Sequence, residues 1–297
     1  MARNTEQLAQ MKDGKGFIAA LDQSGGSTPK ALGLYGVEPT DYDGDAEMFQ
    51  KMHEMRARII LADDFTARKV IGAILFERTM DSEINGTPTA DLLWRDRGIV
   101  PFLKIDKGLE ETANGVQLMK PMPDLDALLA RAAGKGIFGT KERSVIHDAN
   151  EGGINDVVAQ QFDVARQVCA AGLVPIIEPE VNIHSDTKSA AEDMLRDALA
   201  RQIETLAEDE LVMLKLTLPE QANLYDSVAS QAKVVRVVAL SGGYSTDEAS
   251  KKLAQNGSMI ASFSRALTEG LNVSMSDDAF NAALGANIDQ IYRASVA

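Results

Sequence analysis

The chain is expected to fold as a single (β/α)8 (TIM) barrel with an N-terminal helical lead-in and a C-terminal helix. Three observations lead there. Eight short apolar runs alternate with longer stretches of helical period along the whole sequence. The runs are apolar on both faces, as strands of a buried parallel sheet are. Their last residues are charged or hydroxylated, one run after another, which suits the C-terminal mouth of such a barrel. An open doubly wound sheet is the alternative arrangement of the same elements.

Residues 1–16 lack the apolar core of a signal peptide and read as a polar, helix-forming lead-in. The strand candidates are residues 17–21, 71–76, 100–105, 137–146 (interrupted), 174–177, 211–218, 234–240 and 258–263. Between the fourth and fifth, Asp156 can open a helix with Val157, Phe162, Ala165, Val168 and Cys169 on its apolar face, closed by Gly172. Asp186 can cap the next, in which Met194, Leu195, Leu199, Ile203 and Leu206 form one stripe. Thr246 or Asp247 starts a third, ended by Asn256-Gly257, and residues 275–296 close the fold as a helix. No linker, low-complexity tract or shorter repeat interrupts the alternation, so residues 1–297 are expected to be one domain.

Composition narrows the class. A formal net charge of −14 argues against nucleic acid or an anionic membrane as partner, since both select basic surfaces. Cys169 is the single cysteine, which excludes an intrachain disulfide and fits a reducing, cytoplasmic setting. No apolar stretch reaches the roughly 20 residues that span a bilayer. The histidines His53, His147 and His184 are widely spaced with no i, i+4 pair, so a zinc site is not expected. Neither a strand-linked GxGxxG nor a P-loop is present, and dinucleotide or nucleoside triphosphate binding lacks support. The acidic stretch Asp41-Tyr42-Asp43-Gly44-Asp45 lacks the rest of a calcium loop and reads as solvated.

The residue that breaks the apolar pattern is Lys215, inside Leu211-Val212-Met213-Leu214-Lys215-Leu216-Thr217-Leu218. A buried ammonium tends to shed its proton, and a neutral amine attacks carbonyl carbon, so Lys215 is a candidate Schiff-base nucleophile. The competing reading is a strand-end lysine whose stem snorkels to water. The other strand ends supply Asp22, Glu77, Lys104 with Asp106, Lys141 with Arg143, Glu178 with Glu180, Ser241 and Arg265. Imine formation needs an acid/base partner, and Glu178 on the neighbouring strand is the best placed. Pro179 beside it suits a strand terminus or bulge. Asp22 can take a hydroxyl proton, and Lys141 and Lys104 add positive charge around both carboxylates.

Two loops suit phosphate. Ser241-Gly242-Gly243-Tyr244-Ser245 follows the seventh run and precedes a helix, the usual phosphate position in this fold, with Arg265 as a fork-shaped partner. Ser24-Gly25-Gly26-Ser27 follows Asp22. A Gly-Gly pair alone is also an ordinary turn, but two such loops after strands point to a substrate with two phosphates.

These motifs together resemble the class I fructose-bisphosphate aldolases. The resemblance runs from Lys15-Gly16-Phe17-Ile18-Ala19-Ala20-Leu21-Asp22-Gln23-Ser24 to Ser262-Phe263-Ser264-Arg265-Ala266-Leu267, most of the chain. It is carried by Leu103-Lys104-Ile105-Asp106-Lys107-Gly108, Val174-Pro175-Ile176-Ile177-Glu178-Pro179-Glu180, Met213-Leu214-Lys215 and Leu240-Ser241-Gly242-Gly243. The resemblance implies that Lys215 forms the Schiff base, Glu178 shuttles protons, and Asp22, supported by Lys141, acts on the C4 hydroxyl. It places Ser241, Gly242, Gly243 and Arg265 at the C1 phosphate and Ser24, Ser27 and Lys104 toward the C6 phosphate. Arg143 and Glu180 join the substrate-binding set. The implied reaction is metal-free retro-aldol cleavage of fructose 1,6-bisphosphate, with no cofactor and a small-molecule phosphosugar as the substrate, and it leaves any oligomeric partner open.

The chain departs from the family at three points. Gln23 replaces a common acidic residue, removing a charge beside Asp22. Glu142 stands where animal enzymes have tryptophan. Those enzymes also end in a mobile tyrosine tail, a role not carried over to Tyr292. Another Schiff-base phosphosugar aldolase, or a catalytically dead sugar-phosphate scaffold, remains an alternative on the residues alone.

Overall fold

The computed structural model describes residues 4–297. A ring of eight parallel strands forms in chain order. It comprises β1 (Phe17–Leu21), β2 (Val70–Leu75), β3 (Val100–Lys104), β4 (Gly139–Ile146), β5 (Val174–Val181), β6 (Val212–Thr217), β7 (Val234–Leu240) and β8 (Met259–Ala261). Each neighbour pairs in parallel, and β8 lies against β1 to complete a nearly closed barrel without a paired ladder at that seam. Around it run α1 (Thr5–Asp13), α2 (Thr28–Leu34), α3 (Gly44–Leu61), α4 (Leu125–Gly134), α5 (Glu151–Ala170), α6 (Lys188–Glu204), α7 (Thr246–Leu253) and α8 (Asp277–Ser295). Short helical turns at Glu77–Asp81, Asp226–Ala229 and Arg265–Thr268 fill the remaining connections. No helix among the described residues is long and apolar enough to cross a membrane.

The alternation of side chains along each strand divides the apolar residues into two cores. Phe17, Leu21, Leu75, Leu103, Ile177, Leu214 and Leu216 point outward and pack under the helices. Ile18, Ile74, Phe102, Ile176, Met213, Val238 and Ile260 point inward and fill the lower barrel. Helix α1 closes the bottom: Met11 is fully buried against the inner core, and Arg236 donates to the Met11 and Gly14 carbonyls at 2.9 and 3.2 Å. Asn4 caps this helix by accepting from the backbone N–H groups of Glu6 and Gln7.

Several boundaries differ from the sequence reading. Helix α5 begins at Glu151 with Asn150 as its cap, so Asp156 lies inside it rather than opening it. Gly153 in its first turn is a close-approach site, where a Cβ would fall 2.3 Å from the Asn114 carbonyl oxygen. Gly172 follows the helix at φ +82°, as a left-handed terminator does. Helix α6 begins at Lys188 after Thr187, and Asp186 is not its cap; the Thr187 hydroxyl accepts from the Ala149 N–H at 2.9 Å. Helix α7 starts at Thr246, capped by Ser245, but ends at Leu253, short of Asn256-Gly257. Asn256 there receives the Asn223 N–H across to the preceding loop. Strand β5 runs on through Pro179, which pairs in register with Ser144, and ends at Val181. Proline's missing donor does not stop a strand whose extended φ it already satisfies.

Candidate active site

Period-two alternation decides what faces the barrel mouth. On β6, Met213 points into the inner core, so Lys215 points inward one layer higher. On β5 the same parity takes Val174 and Ile176 into the core and raises Glu178 and Glu180 above them. On β4 it raises Lys141 and Arg143, and on β3 Lys104 stands above Phe102. The inner face is therefore apolar at the bottom and ionic at the top. Ladder register brings the ionic residues level, since Ile176 pairs with Met213, setting Glu178 beside Lys215.

The result is an alternating chain of buried charges. Lys215 Nζ lies 3.1 Å from Glu178 Oε1. Lys141 Nζ lies 2.6 Å from Glu178 Oε2, an ion pair without hydrogen-bond alignment, and donates to Asp22 Oδ2 at 2.8 Å. Lys215, Glu178 and Lys141 are each at most 4% exposed and Asp22 9%. The snorkelling alternative for Lys215 therefore fails. Burial alone would raise the Asp22 carboxyl. Lys141, Lys215 and Lys104 outweigh it and hold the group well below the usual carboxylate range. Burial works against the Lys141 ammonium in the same way, but Asp22, Glu178 and Asp106 raise it above the usual lysine range.

A cavity of about 570 Å³ opens above this chain. Asp22, Ser24, Ser27, Lys104, Lys141, Arg143, Glu178, Glu180, Lys215, Ser241, Gly242 and Arg265 all line it, so nearly the whole set expected from the sequence converges. Arg143 donates to Glu180 at 2.7 Å, and Lys104 to Asp106 at 2.7 Å. Gly243 sits behind the lining, where an added Cβ would meet Ile183 at 3.0 Å and Arg265 Nη2 at 3.7 Å. Gly242 and Gly243 hold φ of +61° and +129°, conformations open to glycine, and turn the loop at the cavity rim. Ser27 donates to the Ser24 carbonyl at 2.9 Å and accepts the Ser24 N–H at 3.0 Å, tightening the opposite loop.

Glu77 does not join the mouth; it pairs with Lys107 and Arg131 on the outer layer. Gln23, read from the sequence as a lost charge, is a junction. Its backbone carbonyl accepts from the buried Arg56 guanidinium at 2.5 Å, and its side-chain amide donates to Ser264 Oγ at 2.7 Å. Lys30 also lines the cavity and was missed. It lies on α2 rather than at a strand end, and the available signal was a Thr28-Pro29 helix start directly after the Ser24–Ser27 turn. His147 lies 2.9 Å from Gln117 Oε1, and His53 lies 3.1 Å from the Glu83 carbonyl, both away from the cavity.

A (β/α)8 barrel whose mouth holds a buried amine against a carboxylate, between two hydroxyl- and glycine-bearing loops, defines a lysine-dependent lyase of the carbonyl-chemistry class. The family model for class I fructose-bisphosphate aldolase, the glycolytic group, matches residues 2–233. The chain belongs to the class I fructose-bisphosphate aldolase family. It is 56% identical over 293 residues to a Synechocystis protein named fructose-bisphosphate aldolase class 1, covering 99% of this chain and 98% of the relative. The fold is similar to that of Plasmodium falciparum fructose-bisphosphate aldolase, solved in complex with TRAP and a small-molecule inhibitor. That likeness has a TM-score of 0.79 at 19% identity, covering 100% and 96% of the two chains. A Corynebacterium glutamicum structure shares the architecture more loosely, with a TM-score of 0.52 at 13% identity over 98% and 92% of the chains.

Proposed function

We propose that this chain catalyses the reversible retro-aldol cleavage of fructose 1,6-bisphosphate to dihydroxyacetone phosphate and glyceraldehyde 3-phosphate, through an imine on Lys215. The observation that carries the reading is the buried chain Lys215–Glu178–Lys141–Asp22 beneath a cavity with serine- and glycine-bearing loops on its rim.

Attack requires the Lys215 amine to shed a proton, and Glu178 at 3.1 Å is the acceptor. The amine adds to the C2 carbonyl, and the carbinolamine loses water as Glu178 returns the proton to the departing oxygen. The resulting iminium draws electrons from the C3–C4 bond as Asp22 takes the C4 hydroxyl proton. Glyceraldehyde 3-phosphate leaves, the enamine gains at C3 the proton that Asp22 took up, and hydrolysis frees dihydroxyacetone phosphate and Lys215. Lys141 keeps Asp22 ionised and ready to accept. The iminium is the electron sink, so the steps call on no metal or organic cofactor.

In this reading Ser241, Gly242, Gly243 and Arg265 hold the C1 phosphate, and Ser24, Ser27 and Lys104 the C6 phosphate. Arg143 and Glu180 face the sugar hydroxyls. Residues 1–297 act as one domain in the cytoplasm. The test is borohydride reduction in the presence of dihydroxyacetone phosphate, followed by peptide mapping. An adduct on Lys215, lost in Lys215→Arg, is expected. Turnover without any adduct, or activity abolished by a chelator and restored by zinc, overturns the reading.

A further inference from the structure

The loop that follows the Lys215 strand is tied to the Ser241-Gly242-Gly243 turn by a polar strap none of the catalytic steps uses. Lys188, at the start of α6, is 4% exposed, and Glu192 one turn later is 1% exposed. Lys188 Nζ donates to Glu192 Oε1 at 2.5 Å and to the Leu218 carbonyl at 3.0 Å, and pairs with Glu220 Oε1 at 3.0 Å. The Glu220 N–H donates back to Glu192 Oε2 at 2.9 Å. Glu220 then reaches out of this buried anchor. Its Oε1 accepts from the Tyr244 hydroxyl at 3.0 Å, and its Oε2 meets Lys252 Nζ at 3.4 Å. Lys252 in turn sits 5.0 Å from the centre of the Tyr244 ring.

Tyr244 is the residue next to Gly242-Gly243, and its N–H closes the turn onto the Ser241 carbonyl at 3.0 Å. Two glycines at positive φ leave a turn free to adopt several conformations, so an outside contact must select one. Leu218 is three residues beyond Lys215, so the same anchor fixes the end of the strand that carries the amine. A ligand bound at both places needs that separation constant.

We propose that Glu220 and Tyr244 are positioning residues that hold the 241–245 turn in its phosphate-accepting conformation, with Lys188 and Glu192 as their buried anchor. The proposal rests on the reading of that turn as a phosphate site. It predicts that the strap governs affinity for the phosphate group rather than the chemical step.

The test compares wild type, Tyr244→Phe, Glu220→Gln and the double variant as full chains. It reads steady-state cleavage of fructose 1,6-bisphosphate and calorimetric binding of inorganic phosphate. Tyr244→Phe removes one charge-assisted hydrogen bond, so KM and the phosphate Kd are expected to rise about ten-fold together, with kcat within about two-fold of wild type. The double variant is expected to lose no more than the stronger single variant, because both cut one linkage. An active wild type with an unchanged KM and phosphate Kd in a normally melting Tyr244→Phe overturns the strap. So does a fall in kcat at constant KM. A wild type that neither cleaves the bisphosphate nor traps an imine overturns the functional reading itself.

Discussion

At the scale of single residues, the site is a compromise between burial and charge. Each of Lys215, Glu178, Lys141 and Asp22 is almost removed from water, and each is tolerated because its neighbour carries the opposite sign. Glu178→Gln keeps the shape but removes the proton carrier, and kcat is expected to fall by about 10²–10⁴ in a coupled triose-phosphate assay. Asp22→Asn removes a carboxylate whose folded-state pKa is depressed. Its ionic contribution is fully present above the ordinary aspartate pKa near ~3.9 and is lost only as pH falls through the lower folded value. Urea denaturation is therefore expected to find Asp22→Asn less stable than wild type by about 1–3 kcal/mol at pH 7, with the gap closing under strongly acidic conditions. Equal stability of the two proteins at pH 7 would refute this.

At the scale of elements, β4 carries two opposite demands on its two faces. Lys141 and Arg143 serve the cavity, while Thr140, Glu142 and Ser144 are fully buried beneath the helices. Burial raises the Glu142 carboxyl well above its usual range, and Asp106 adds to the shift while Lys141 opposes it. A raised carboxyl binds its proton in the folded state and releases it in the unfolded one, so wild-type stability falls as pH rises above the ordinary glutamate range. Glu142→Gln is expected to remove that slope, measured as Tm between pH 5 and 8; a parallel slope in the variant contradicts it. The first residue of β4 is equally constrained. A Cβ on Gly139 would lie 2.1 Å from the Val174 carbonyl oxygen and 2.9 Å from the Phe102 ring. Gly139→Ala is expected to cost about 3 kcal/mol in urea unfolding by forcing β4 away from β5. The inward parity of β4 was legible in the alternation of Lys141 and Arg143. The burial of Glu142 was not, because alternation marks the opposite face without saying what covers it.

At the scale of the whole molecule, a strongly acidic protein presents a cationic entrance. The cavity is lined by Lys30, Lys104, Lys141, Arg143, Lys215 and Arg265 against Asp22, Asp106, Glu178 and Glu180, in a chain of formal net charge −14. The surrounding field repels a bisphosphate while the local excess of positive charge attracts it, and salt screens the exposed long-range part more than the buried pairs. Loss of cationic attraction is expected to dominate, with KM for fructose 1,6-bisphosphate rising about three- to ten-fold between 0.02 and 0.5 M sodium chloride at nearly constant kcat. A KM that falls with salt would mean that the global acidity controls encounter instead.

By itself, the sequence determined the alternation of eight strands with helices, favoured a barrel over an open sheet, and named every charged residue at its mouth but Lys30. Period-two patterning and strand-end chemistry are local properties, and a lysine within an apolar run is visible without coordinates. Tertiary structure alone decided which strand ends share the cavity, admitting Lys30 from a helix and sending Glu77 to the outer layer. It also decided that Gln23 joins Arg56 to Ser264, and that Lys188, Glu192, Glu220 and Tyr244 form one strap across three segments. Such contacts join residues dozens to hundreds of positions apart through a few ångströms of space. No periodicity or spacing along the chain encodes that distance.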